Sequence, residues 1–171
     1  PAEAPKEPPK GFWAFLWAGT QGMRRYLLGM TLLTASIGAF EALLFSMLGS
    51  IVDWLSAVSP DQLWATSREK LLLLAGVLLL SPLAVLVQTM LKHQALAGNF
   101  PMRLRWNFHR LMLGQSMNFY QDEFAGRIAT KVMQTALAVR DTCFIVGDIL
   151  VFTTIYFVTM TAVVGSFNAW L

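Results

Sequence analysis

The sequence predicts an all-α membrane protein. A short interfacial helix precedes three long transmembrane helices, two of which extend beyond the bilayer and are joined by a short connecting helix. Three observations carry this expectation. Hydrophobic residues make up 56% of the chain and charged residues only 13%, with a mean hydropathy of +0.53, where a soluble domain carries about a quarter charged residues. The chain holds apolar stretches of the length, about 20 residues, that crosses hydrocarbon. Between the second and third of these, apolar residues thin to a helical stripe on either side of the most polar segment, Asn118–Val132, reading NFYQDEFAGRIATKV.

Residues 1–10, rich in proline and charge, read as a disordered tail with nothing to bury. In residues 11–22, Phe12, Trp13, Phe15, Leu16 and Trp17 precede Arg24 and Arg25. The run is too short to span a bilayer, and aromatics followed by arginines suit the headgroup boundary, which predicts a helix lying in the interface. The first span covers 26–53 and holds Glu41 near its middle. An ionisable group at that depth is costly and should face protein or a water-filled cavity. Glu41 is thus a candidate for binding a cationic substrate or a proton, weighed evenly against a bond to a neighbouring helix. Residues 53–70 read as a polar loop or short helical excursion with a turn at Ser59-Pro60-Asp61.

The second long helix covers 67–117. Its LLLLAGVLLL core should cross the membrane and Pro82 should kink it. Leu104, Phe108, Leu111 and Gln115 then mark one face, and Gly98 and Pro101 predict a bend. From Lys92 to Met117 this extension is roughly 39 Å of helix at the α-helical rise. After the connecting segment 118–127, a third long helix covers 128–170. Ile128, Val132, Thr135, Val139 and Cys143 mark a matching face before the apolar span that begins at Ile149. The two extensions need each other to cover their stripes. Thr153 and Thr154 are candidates to line a pathway, although such hydroxyls more often serve helix packing.

Eleven of the thirteen lysines and arginines fall on the side that holds the N-terminus and the out-and-back excursion, leaving Arg68 and Lys70 on the other. The positive-inside rule makes the first side cytoplasmic. A single cysteine, Cys143, and two histidines, His93 and His109, give no metal-ligand cluster. Phosphate-binding loops and nucleophile motifs are absent from the sequence, so it predicts no catalytic residue, cofactor or metal site in this chain. Nothing in it points to nucleic acid.

These residues together resemble the first half of the transmembrane domain of an ABC exporter, in the type IV family of bacterial multidrug and lipid half-transporters. FWAFLWAGTQGMRRY is similar to the family's elbow helix, and LGSIVDWL to the ending of its first span. RLRWNFHRLMLGQSMNFYQDEFAGRIATKV is similar to the segment that forms its first coupling helix. Where the family often has Asn-Asp after that helix, this chain has Gln134-Thr135. The resemblance covers residues 11–171 and implies three of six helices, the rest of the domain and an ATP-hydrolysing domain lying outside this chain. It implies ATP and Mg in that nucleotide-binding domain, a second transporter half (identical or different), and residence in the bacterial inner membrane with the N-terminus cytoplasmic. The expected cargo is hydrophobic or amphipathic.

The coupling helix docks in a groove of the nucleotide-binding domain. Phe119, Tyr120 and Phe124 would be its aromatic anchors, Gln121, Asp122 and Glu123 its polar contacts, and Gly126 would permit a sharp turn into the returning helix. A rival expectation is a small three-helix scaffold or assembly subunit acting through its cytoplasmic hairpin. A membrane-embedded enzyme is disfavoured by the lack of paired carboxylates or a nucleophile constellation.

Overall fold

A backbone inside hydrocarbon must satisfy its own polar groups, and a continuous helix does so without help from neighbours. The chain takes this solution nearly throughout. In the computed structural model, the described residues are 7–57, 60–122 and 124–167, with the side chains of 60–67, 70, 122, 125 and 167 also outside the description. Their helices are α1 (Phe12–Gly19), α2 (Arg24–Ala57), α3 (Pro60–Met90), α4 (Asn99–Leu113), α5 (Met117–Asp122), α6 (Ala125–Phe144) and α7 (Val151–Phe167). A π-helical segment, Leu91–Ala97, joins α3 to α4, and a second, Ile145–Leu150, joins α6 to α7. There is no strand among the described residues. Arg24–Ala57, Leu71–Leu113 and Gly126–Ser166 are each long and apolar enough to cross a membrane, which fits a multi-pass membrane protein.

Helix runs to Ala57 and resumes at Pro60, so of the two expectations for 53–70, loop or helical excursion, the helical one describes most of it; Ser59 and residues 1–6 of the expected tail lie outside the described residues. Pro82, where a kink is expected, lies inside the continuous helix α3. Where the bend is expected, near Gly98 and Pro101, the π-helical segment ends and α-helix starts afresh at Asn99. Pro101 then falls in the first turn of α4, where a missing N–H is tolerated best. The carbonyl that proline leaves without a helical donor is that of Ala97. The Arg140 Nη1 donates to it at 3.4 Å, while Asn99 Nδ2 donates to the Ala95 carbonyl at 3.1 Å.

The chain divides into two compact units, Pro1–Gly29 with Met90–Gly147, and Met30–Thr89 with Asp148–Leu171. In the first, α4 and α6 bury Phe100, Leu104, Ala136, Val139 and Cys143 between them. Phe15, Leu16, Met23 and Leu27 cover this seam from the α1 side. Gly19 lets α1 come close, since a Cβ there would sit 3.2 Å from Val139 Cγ1. Gly22, at φ +82°, makes the turn into α2. Arg24 folds back over that turn. Its guanidinium lies 4.0 Å from the Trp17 ring centroid and donates to the Trp17 carbonyl at 3.0 Å.

In the second unit, α2 turns a stripe of Met30, Thr34, Ile37, Gly38 and Ala42 inward. Gly38 lies against α7, where a Cβ would stand 3.3 Å from both the Phe152 ring and the Phe152 carbonyl oxygen. By contrast, α3 leaves Leu72, Leu73, Leu78, Leu79, Leu80 and Leu83 exposed. Leucines on such a face suit lipid or further helices.

Phe100 is fully buried in the α4–α6 seam. Phe100→Ala should cost about 3–5 kcal/mol, read as a lowered unfolding midpoint of the purified protein. Leu79→Ala, on a side chain 70% exposed, should leave that midpoint within error.

Candidate functional site

The polar segment between the two extensions folds as a tip. α4 ends at Leu113, and the Gly114 and Gln115 N–H groups close its last turn on the carbonyls of Leu111 and Met112. α5 follows, and the Tyr120 hydroxyl donates back to the Met112 carbonyl, tying the short helix to the end of α4. The Phe119 and Tyr120 rings meet edge to face at 5.3 Å. Phe124 then turns the chain in an extended conformation, φ −70° and ψ 122°, and its carbonyl accepts from the N–H groups of Arg127 and Ile128. Phe124 is thus the extended residue ahead of α6. Gly126 sits inside α6, and among the described residues only Gly22 has positive φ.

The tip displays apolar side chains to solvent: Phe124 at 81%, Met117 at 76% and Leu113 at 71% exposure. Phe119 is half-buried, whereas Tyr120, Gln121 and Gly126 are exposed. Asp122 ends α5, with its side chain outside the description, and Glu123 lies outside the described residues. Large apolar side chains at an exposed, otherwise polar end are of the kind that interaction surfaces use. Among the described residues no group of histidine, cysteine, aspartate and glutamate could hold a metal ion, and Cys143 is buried in the seam.

A second polar arrangement lies in the other unit, and its three members are not brought together by the sequence pattern. Thr34 Oγ1 donates to Asp148 Oδ1 at 2.9 Å. Gln88 Nε2 donates to Asp148 Oδ1 at 3.0 Å and to Thr34 Oγ1 at 3.1 Å. Three chain segments far apart in sequence are thus joined around one carboxylate oxygen, and Thr34 is only 2% exposed. A carboxylate drawn partly out of water needs donors in its place; the half-buried Asp148 has Thr34 and Gln88 among them. The available signal was Gln88, a lone amide in an apolar run.

Glu41 is half-buried on α2, two turns beyond Thr34 on the same side. It makes no hydrogen bond or ion pair among the described residues. Thr153 and Thr154 are exposed on α7, away from its half-buried Phe152 and Tyr156, and do not join Glu41 through any hydrogen bond among the described residues. Ser166 donates back to the Val163 carbonyl at 2.6 Å, as helix hydroxyls often do.

Comparison with known proteins finds a Haemophilus influenzae protein described as an uncharacterized ABC transporter ATP-binding protein, 45% identical over 170 residues. The match takes in 99% of this chain but 28% of that protein, so the chain spans little more than a quarter of the relative's length. No family model matches, and no solved structure matches.

Asp148→Ala removes the shared acceptor and leaves the Thr34 hydroxyl and Gln88 amide without it. The expected loss is about 1–3 kcal/mol, measured as a drop in thermal unfolding temperature in detergent. Asp148→Asn keeps an acceptor oxygen and should lose less. Equal losses would mean that charge, not this hydrogen-bonded cluster, matters at 148.

Proposed function

We propose that the chain is the first half of the transmembrane domain of an ATP-driven ABC exporter of the bacterial inner membrane, with its N-terminus and its α4–α6 hairpin on the cytoplasmic side. The observation that carries this reading is the 45% identity, over essentially the whole chain, to a protein described as an ABC transporter ATP-binding protein. Three helices long and apolar enough to cross a membrane support it. The distribution of lysine and arginine supports the sidedness.

In this reading α1 is the elbow helix and α5 with its flanks is the coupling helix. Phe119, Tyr120 and Phe124 anchor in a groove of a nucleotide-binding domain, with Gln121, Asp122 and Glu123 as polar contacts and Gly126 at the edge of the contact. The exposure of Phe124 and Met117 supports an absent partner there, since such side chains lose solvent contact only when something covers them. ATP and Mg belong to that partner domain. The chain's own contribution is mechanical: ATP-driven movement enters at the tip, and the paired helices carry it to the spans, which alternate between two arrangements. A second transporter half, identical or different, covers the exposed α3 face together with lipid. The cargo is hydrophobic or amphipathic, and Glu41 offers a carboxylate on its path, with Thr153 and Thr154 as further candidates.

Two measurements on the full-length polypeptide test this. A buried interface aromatic is worth about 2 kcal/mol or more, so Phe124→Ala should reduce substrate-stimulated ATP hydrolysis by about thirtyfold while basal hydrolysis persists. Stimulation equal to the parent's would defeat the coupling assignment. Glu41→Gln should lower transport of cationic amphiphiles and leave the unfolding temperature unchanged. If every substrate tested moves at the parental rate, Glu41 lies off the path.

A further inference from the structure

A groove of about 500 Å³ runs between α1 and α4, within the range of small-molecule sites. Phe15 and Phe108 form its apolar floor, their rings parallel to within 2° and 6.3 Å apart. Gln21, Arg103, Asn107 and Arg110 supply its polar wall, and Glu7 lies at the rim.

Arg103 is seated by the backbone above it. Gly22 holds a positive φ, and a Cβ on Gly22 would overlap the Arg103 guanidinium. The turn and the arginine therefore occupy complementary space. The Arg103 guanidinium, the Gln21 amide and the Asn107 amide make no hydrogen bond to any described residue. Glu7 makes no ion pair among the described residues either. A planar fork of N–H donors, placed by a turn and flanked by two amides, matches phosphate oxygens. The adjacent ring pair suits an apolar arm rather than a bare ion. Phe12, Trp13 and Trp17, exposed on the same short helix, are of the kind found at headgroup depth.

We propose that this groove binds an organic phosphate carrying an apolar portion, the phosphate on Arg103 and the apolar portion over Phe15 and Phe108. An anionic phospholipid headgroup and a soluble phosphate ester share that chemistry. Glu7 opposes the ligand's charge, so removing its carboxylate strengthens binding.

The test is titration calorimetry on the full-length polypeptide in a neutral detergent, with dihexanoyl phosphatidic acid as the lipid probe and phenyl phosphate as the soluble one. The proposal expects saturable binding that weakens at least tenfold in Arg103→Gln, weakens less in Arg103→Lys, and tightens in Glu7→Gln. Arg25→Gln, outside the groove, should bind as the parent does. Gly22→Val displaces Arg103 without removing it and should weaken binding as well, with unfolding temperatures confirming that each variant is folded. Tighter binding of the lipid probe assigns the groove to lipid, and equal or tighter binding of phenyl phosphate assigns it to soluble esters; either supports the site. Binding of neither probe, or binding that Arg103→Gln leaves unchanged, overturns it.

Discussion

The seam between α4 and α6 is the constraint on which the hairpin depends. Each helix is apolar along one side only, and each would expose that side if it stood alone. Phe100 and Leu104 from one, and Ala136, Val139 and Cys143 from the other, remove it from solvent together. Everything else in this unit is placed by that contact. α1 docks across it through Gly19, Phe15 and Leu16, and the tip is held because Tyr120 binds the last turn of α4. Even the weak point in the helix is repaired across the seam. Pro101 withdraws a backbone donor from Ala97, and Arg140 of α6 supplies one. That contact also explains why an arginine stands beside an apolar stripe, with Asp141 balancing its charge at 2.7 Å.

The second unit solves a different problem. Its helices are so apolar that hydrophobicity does not select their neighbours, because lipid is as good a partner as leucine. Selection falls to small and polar residues. Gly38 lets two backbones approach, and Thr34, Gln88 and Asp148 bond to one another at one place only. A helix rotated by a few tens of degrees would leave at least one of those groups in hydrocarbon without a partner, a cost of a few kcal/mol. Helix α3 contributes Gln88 to that cluster, while the most apolar window of its span holds no fully buried residue.

Much of this was legible in the residues. The 3.6-residue stripes on 104–111 and 128–143 located the seam, because one helical face must alternate with the other wherever a helix is half covered. The three spans followed from apolar length, and the tip from the loss of hydrophobicity at 118–127. The helix register at Leu91–Ala97 was not legible, since a π-helical turn has no residue signature beyond the nearby Pro101 and Gly98. The role of Thr34 was hidden for another reason. A threonine in an apolar run usually bonds to its own helix, and only a partner 114 residues later in the chain makes it a crosslink. The packing of α1 on the seam was missed because its aromatics were assigned to the membrane interface alone. Phe15 and Leu16 face protein, while Phe12, Trp13 and Trp17 remain exposed. For the candidate site, residue type named the aromatic candidates, but Gly126, expected at the turn, lies inside α6 with the extended Phe124 ahead of it.

The central claim is that the tip is shaped for a nucleotide-binding partner. It is tested most directly by placing the photoreactive side chain p-benzoylphenylalanine at position 124 of the full-length polypeptide in membranes, irradiating, and mapping the adducts by peptide mass spectrometry. The account predicts adducts to peptides of an ATP-binding domain, with a yield that changes between the nucleotide-free and ATP-bound states. Adducts confined to lipid or to the spans themselves, unaffected by nucleotide, would contradict it.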